Sequence, residues 1–261
     1  MSVIDRFPHS TAELRRVKAV QFGVLSPDEI RKMSVCEIET AETYEKGRPK
    51  RGGLSDPRMG TMDRAMKCET DGMGSTDTPG YFGHLELAKP VYHHGFIKNV
   101  ISVLRCVGFS SSKLMIDKDE DPRFAQIMRV KNPKQRLRKF TDACKTRTVC
   151  PSSGTPQPQY RLEGMKITAE FKQRGEEDHL PEGGERKQIV TAERAYEILK
   201  NVSDEDCRIL GLDPEHAHPS WFILSVLPVP PHPVRPSVAF DASTRSEDDL
   251  TVKLMEIVRT N

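Results

Sequence analysis

Apolar and polar positions along the chain predict short helices and short strands that follow one another without a repeat. Residues 17–24 alternate and carry β-branched side chains, so they predict a strand. Apolar side chains recur between His94 and Val107 with the spacing of one helix face. A second amphipathic helix is predicted over Pro133–Cys144, because Asn132 before a proline is a typical helix start.

Other elements are predicted from capping residues and from changes of periodicity. Ser26, Pro27 and Glu29 form a capping-box helix start, and Ser203 and Gly211 bracket a short helix. The remaining predicted elements are a possible strand over 36–43, a hairpin over 160–171, a helix over 191–199, a buried strand over 221–229 and a last helix from 246–249 onward, with Leu250, Leu254 and Ile257 on one face.

Proline and glycine interrupt these elements often, since the chain holds 19 Pro and 17 Gly. Residues 45–60 are predicted to be a loop, and 228–236 an extended segment because proline bars a helix there. The polar, glycine-containing stretch 172–187 is predicted to be a mobile surface loop.

Composition limits the class of protein. The 261 residues suffice for one large or two small domains, and 36% hydrophobic against 30% charged residues predicts a modest core. The start of the chain lacks the apolar stretch of a signal peptide, and no apolar run reaches membrane-spanning length. Six cysteines in such a chain indicate free or metal-bound thiols in a reducing compartment, with no membrane partner.

The net charge of +2 is uninformative, but its distribution is not. Residues 129–147 hold eight basic side chains and one acidic side chain, a local asymmetry that can attract a polyanion. The candidate nucleic-acid-binding residues on the predicted helix are Lys134, Arg136, Arg138 and Lys139. An ordinary solvated helix face is the alternative interpretation.

The stretch 54–96 has the composition of a small metal-binding knuckle. It contains Cys68, a glycine-rich loop and the run 79–84, PGYFGH. A structural zinc site needs about four Cys or His ligands at short spacing. Cys68 is the one strong ligand at its spacing, so a metal site, a degenerate metal site and an ordinary loop all stay open.

Several longer runs together resemble the largest subunit of eukaryotic RNA polymerase II, in its plant-like form. They occur in the family's order over essentially the whole chain. The runs are 21–30 (QFGVLSPDEI), 54–60 (LSDPRMG), 79–84 (PGYFGH), 86–91 (ELAKPV), 203–207 (SDEDC), 227–231 (LPVPP), 235–237 (RPS) and 247–250 (EDDL).

The resemblance implies that 1–261 is the N-terminal clamp domain of that subunit. We therefore expect an α+β fold of irregular, loop-rich clamp type, with short helices and small antiparallel sheets. Because the last helical pattern continues to Asn261, we also expect the domain to be truncated at its C-terminal end. In the family the clamp lies in the nucleus and contacts DNA, the RNA–DNA hybrid and other polymerase subunits, chiefly the second-largest.

The family's clamp also holds two zinc ions, and the resemblance places the ligand positions here. The first site falls on Cys68, Asp71, Thr78 and Tyr81, and the second on Gly108, Ser111, Cys150 and Ser153. Cys68 and Cys150 remain as ligands of two degenerate sites, Asp71 is a weak ligand, and the other five are poor ones. We expect zinc binding to be lost and the loops to be loose without their metal cross-link.

The family's catalytic aspartate motif, NADFDGD, does not occur in this sequence. This chain therefore has no magnesium site for phosphoryl transfer, although the family is a nucleotidyltransferase. The resemblance adds Arg235 and Arg245, near the family's lid loop, as candidate nucleic-acid contacts; a proline linker that fixes chain direction is the alternative there. The rival interpretations of the whole chain are a truncated free-standing DNA- or subunit-binding module and a non-functional copy.

Overall fold

The computed structural model describes residues 15–118, 121–171, 186–239 and 245–261, except the side chains of Ala239 and Arg245. The predicted α+β class is confirmed, with short helices, small antiparallel sheets and many loops. The helices are α1 Pro27–Met33, α2 Ile97–Cys106, α3 Pro122–Met128, α4 Pro133–Cys144, α5 Ala192–Lys200, α6 Asp204–Leu210 and α7 Asp249–Thr260. The strands are β1 Tyr44–Glu45, β2 Arg48–Pro49, β3 Gly83–Tyr92, β4 Gln159–Glu163, β5 Lys166–Glu170, β6 Lys187–Val190, β7 Ile223–Val229, β8 Val238–Ala239 and β9 Arg245–Ser246.

Two hydrophobic clusters share the long antiparallel pair β3–β7. The larger cluster contains α2, α4, α5, α6 and the sheet β4–β5–β6, with Leu104, Phe140 and Leu199 fully buried. The smaller cluster gathers apolar residues from 36–59 beneath α7, around Leu254. β7 contributes Ile223 to the larger cluster and Val229 to the smaller one, so this pair of strands links them.

The helices with strong local signals form where they are predicted. Ser26 and Glu29 exchange both bonds of the capping box at the start of α1. Asn132 caps α4 by accepting from the backbone N–H of Lys134, and Ser203 caps α6. Gly211 ends α6 with a positive φ of 88°, a conformation that favours glycine.

The strand predicted over 17–24 is wrong. This segment has no regular structure, and Val17 and Phe22 are 78% and 92% exposed. The backbone N–H of Val24 bonds to the carbonyl of His216, but among the described residues no neighbouring strand pairs with the rest. Alternation alone cannot form a strand where a sheet edge is missing.

Smaller differences between prediction and structure concern one strand, two loops and two elements that the sequence did not predict. Residues 36–43 form isolated bridges at Glu37 and Thr40 instead of a strand. The predicted extended segment 228–236 includes a 3₁₀ turn at His232–Val234, and the predicted loop 45–60 includes one at Pro57–Met59. Helix α3 and strand β6 were not predicted.

On α7, Leu254 faces the core with Thr251, while Leu250 and Ile257 are 52% and 39% exposed. The buried face of α7 therefore differs from the predicted one: it contains Thr251 and Leu254. Among the described residues, no helix is long and apolar enough to cross a membrane. The predicted mobile loop 172–187 lies outside the description apart from its last two residues and stays a prediction.

Candidate nucleic-acid interface and the two knuckles

Helix α4 presents the predicted basic face, and its buried face fixes its orientation. Phe140 and Cys144 point into the larger cluster. The start of α4 lies close against the end of α6, since a Cβ on Gly211 would come within 2.9 Å of the carbonyl oxygen of Pro133. A glycine at 211 thus satisfies both the left-handed turn and the approach of the two helices.

Three of the predicted contacts, Lys134, Arg138 and Lys139, are exposed on α4. Within the described part of the chain, no carboxylate lies within ion-pairing distance of these three cations. Arg136 differs, because it is half-buried and its Nη2 donates to the carbonyl of Arg208 at 3.0 Å. Arg136 therefore joins α4 to the end of α6.

Arg147, at the C-terminal end of the basic run, is paired with an acid from outside the run. Asp121 accepts hydrogen bonds from Arg123 at 2.9 Å and from Arg147. The Arg123 guanidinium, against the opposing effect of burial, holds the pKa of the Asp121 carboxyl far below its usual range, and Arg147 adds to this. Exposed cations on both sides of α4 also have no carboxylate partner among the described residues, so the uncompensated charge extends beyond that helix; they are Arg129, Lys131 and Lys145.

Arg235 lies inside the protein, at 2% exposed. Its guanidinium donates to the carbonyls of Pro230, at 2.8 Å, and Leu54, and to the Thr251 hydroxyl. These bonds connect the proline segment 228–236, the loop that contains Leu54 and helix α7. The predicted nucleic-acid contact at Arg235 stays a prediction that this burial does not favour, and the side chain of Arg245 is outside the description.

The first knuckle, residues 68–81, brings all four predicted ligand positions together. The Asp71 carboxylate is their centre: its Oδ2 accepts from the Thr78 hydroxyl at 2.7 Å and from the Tyr81 hydroxyl at 3.1 Å. Its Oδ1 accepts from the backbone N–H of Met73 at 2.8 Å, whereas the Cys68 Sγ donates to the carbonyl of Arg58 at 3.8 Å. The Met73 bond is the largest influence lowering the pKa of Asp71, and the bond to Asp71 raises the pKa of Tyr81.

The second knuckle, residues 108–111 with 150–153, brings a thiol and hydroxyls together. The Cys150 Sγ lies 3.3 Å from the Ser111 hydroxyl and 3.2 Å from that of Ser152. Burial alone would raise the pKa of the Cys150 thiol, but bonds from Ser111, Ser152 and Ser153 outweigh burial and lower it to about 7. The fourth position, Gly108, contributes no side chain.

Neither donor set suits zinc. A structural zinc ion takes four thiolate, imidazole or carboxylate ligands, and each knuckle offers at most two such groups. Among the described residues, no group of three or more His, Cys, Asp or Glu side chains could hold a metal ion. All six cysteines are buried, and none forms a disulfide.

Hydrogen bonds join the side chains of both knuckles, and the expected looseness of these loops stays a prediction. The central role of Asp71 was missed, although a carboxylate flanked by hydroxyls at ligand spacing is a usable signal. Gln157 was missed as well. It is 7% exposed, accepts from the N–H of Phe109 at 2.9 Å and donates to the carbonyls of Val107 and Leu104. Nothing local in the sequence marks Gln157 as a cross-link.

Comparison with known proteins identifies relatives of this chain. Residues 14–261 match the family model for RNA polymerase Rpb1, domain 1. The chain is 42% identical over 266 residues to the DNA-directed RNA polymerase II subunit RPB1 of Euplotoides octocarinatus, which covers 98% of this chain and 55% of that protein. The chain thus spans about half the length of this curated relative.

Proposed function

Because the chain belongs to the family of RNA polymerase Rpb1, domain 1, we propose that it acts as the clamp-type domain of a largest subunit of RNA polymerase II. Its role is to hold DNA and the RNA–DNA hybrid and to contact other polymerase subunits in the nucleus. The catalytic aspartate motif of the family is not in this sequence, so the role is grip and scaffolding within transcription.

The observation that supports nucleic-acid contact is the unpaired cationic face of α4. Exposed cations with carboxylate partners contribute little to binding a polyanion, because their charge is already compensated. Lys134, Arg138 and Lys139 have no such partner among the described residues, and a rigid helix holds them within reach of neighbouring phosphates. Phosphate neutralisation by such side chains releases counterions and gives salt-dependent affinity.

The test combines charge reversal with a salt titration. In the variant Lys134→Glu, Arg138→Glu, Lys139→Glu, we expect weaker binding to a duplex DNA and a slope of log affinity against log salt that is shallower by about 1 for each phosphate that is no longer neutralised. Arg136 is left unchanged because it holds the fold together. Fluorescence anisotropy at several salt concentrations measures both quantities.

A matched control reverses three exposed lysines outside α4: Lys32→Glu, Lys98→Glu, Lys166→Glu. It changes net charge by the same amount, so any effect of total charge alone appears equally in both variants. Equal loss of affinity in the two variants would reject the α4 face as the interface.

Contact with other subunits is supported by a different feature, the exposed apolar segment 17–25. Val17, Val20 and Phe22 are 78%, 75% and 92% exposed, and large exposed apolar side chains that lie close together in the chain are typical of a protein–protein contact. A tagged chain should recover other polymerase subunits from nuclear extract, and Phe22→Asp should reduce that recovery. An empty pull-down would favour the free-standing module or the non-functional copy.

A further inference from the structure

We propose that this chain holds its two knuckles together with hydrogen-bond clusters in place of zinc ions, so that its folding does not require metal. The first cluster is centred on the Asp71 carboxylate and the second on the Cys150 thiol. The proposal does not depend on whether α4 binds nucleic acid.

In the first knuckle, one carboxylate bonds to two of the other three ligand positions. Asp71 accepts from the hydroxyls of Thr78 and Tyr81 on the same oxygen, Oδ2, while the Cys68 thiol donates to the carbonyl of Arg58 at 3.8 Å. The carboxylate therefore joins three of the four points of the loop that a metal ion would join. Hydrogen bonds to a carboxylate are roughly twice as strong as bonds between neutral groups.

The surroundings of the first knuckle complete its closure without further ligands. Cys68 is 1% exposed and Thr78 6% exposed, so both side chains are buried. The backbone of Cys68 bonds to that of Met73 at 2.9 Å, and the hydroxyl of Thr70 donates to the carbonyl of Arg58 at 2.7 Å. The loop is therefore closed by a main-chain bond as well as by the carboxylate, and the Thr70 hydroxyl joins it to the segment that holds Arg58.

In the second knuckle, the space for a ligand has closed. A Cβ on Gly108 would come within 2.4 Å of the Ser111 Oγ and 2.8 Å of the Cys150 Sγ, which is closer than real Cβ atoms approach such groups. The side chains of Ser111 and Cys150 therefore occupy the volume that a cysteine at 108 would need. Ser111, Cys150 and Ser152 bond to one another at 3.2 to 3.3 Å across this volume.

The decisive experiment measures metal content and thermal stability of the purified 261-residue chain. After expression in zinc-supplemented medium, we expect far less than one zinc per chain by mass spectrometry of the metal. The melting temperature should be the same with and without a strong zinc chelator. About one or two zinc ions per chain, or a lower melting temperature in the chelator, would overturn the proposal.

One variant and its matched control test the role of the Asp71 carboxylate. Asp71→Asn should lower the melting temperature by a few degrees with or without chelator, whereas Asp77→Asn, at an exposed aspartate of the same loop, should leave it unchanged. An unchanged melting temperature in Asp71→Asn would show that the carboxylate does not cross-link the loop.

A restored site provides the positive control. The triple variant Asp71→Cys, Thr78→Cys, Tyr81→His, together with Cys68, completes a three-Cys, one-His set at the first knuckle. It should hold about one zinc per chain and lose about 10 °C or more of melting temperature in the chelator, as structural zinc sites do. If this variant does not fold, the chelator and metal measurements on the unaltered chain still decide the question.

Discussion

The two knuckles occupy equivalent places in the family pattern, yet they are held by different physical means. The first knuckle lies near solvent and depends on a charged acceptor, Asp71, to which the hydroxyls of Thr78 and Tyr81 donate. The second lies against the larger hydrophobic cluster, where Cys150 is fully buried, and its own polar contacts are weak thiol–hydroxyl bonds.

This difference shows two ways in which a loop can be closed by hydrogen bonds, according to its surroundings. Near water, a carboxylate retains enough solvation to stay charged and can organise a loop through charge-assisted hydrogen bonds. Against a core, a buried charge would be costly, so a neutral amide and apolar packing replace it. Beside the second knuckle that amide is Gln157, which bonds to one backbone group of α2, at Leu104, and to two backbone groups just after it, at Val107 and Phe109.

The largest expected effect concerns Gln157. Gln157→Leu keeps the approximate volume but leaves the N–H of Phe109 and the carbonyls of Leu104 and Val107 without their partner. Because each buried unsatisfied group costs about 1–3 kcal/mol, we expect a loss of about 4 kcal/mol of unfolding free energy. Urea unfolding measures it, with the exposed Gln126→Leu as control. A loss below that of the first-knuckle variants would reverse the comparison.

An intermediate effect concerns pH and the loop that leads into the first knuckle. His232 is 8% exposed, with Nε2 3.4 Å from the carbonyl of Asp56. Burial, with the Arg235 charge, lowers the pKa of His232 to about 4 from 6.5. The unfolded chain therefore binds more protons between these values, so this contribution is complete above pH 6.5 and is lost as pH falls toward 4.

The magnitude of that loss is about 2–3 kcal/mol. Urea unfolding at pH 7.5, 5.5 and 4.5 measures it. His232→Gln should flatten the dependence over this window, whereas the exposed His94→Gln should retain it. An equal fall of stability with pH in His232→Gln would remove His232 as the source.

Local signals in the sequence were sufficient for several elements and insufficient for others. The capping box at Ser26 and the helix start at Asn132 act within one turn, so they predict helices without knowledge of the fold. The strand over 17–24 required a partner strand, and the exposed face of α7 depended on where the β3–β7 pair lies. Such long-range conditions are not encoded in periodicity.

The candidate sites divide in the same way. The exposure of Lys134 and Arg138 follows from the amphipathic pattern of α4, so it was predictable. The burial of Arg235 was not, because its partner Leu54 lies 181 positions away in sequence. The ligand positions themselves followed from the family resemblance, but the bonds that join Asp71 to Thr78 depend on side-chain geometry that spacing alone does not give.

The smallest expected effects come from removing one hydroxyl group in each knuckle. Thr78→Val is nearly isosteric and removes a buried hydroxyl that donates to the Asp71 carboxylate at 2.7 Å, so we expect a loss of about 1–2 kcal/mol. Ser152→Ala removes an exposed hydroxyl beside a thiol, and we expect a change within about 0.5 kcal/mol. Combining Thr78→Val with Asp71→Asn should cost less than the sum of the two, because both remove the same bond. Equal losses for Thr78→Val and Ser152→Ala would mean that the carboxylate cluster is no stronger than the thiol cluster. Strict additivity in the double variant would mean that the bond between Thr78 and Asp71 does not contribute to stability.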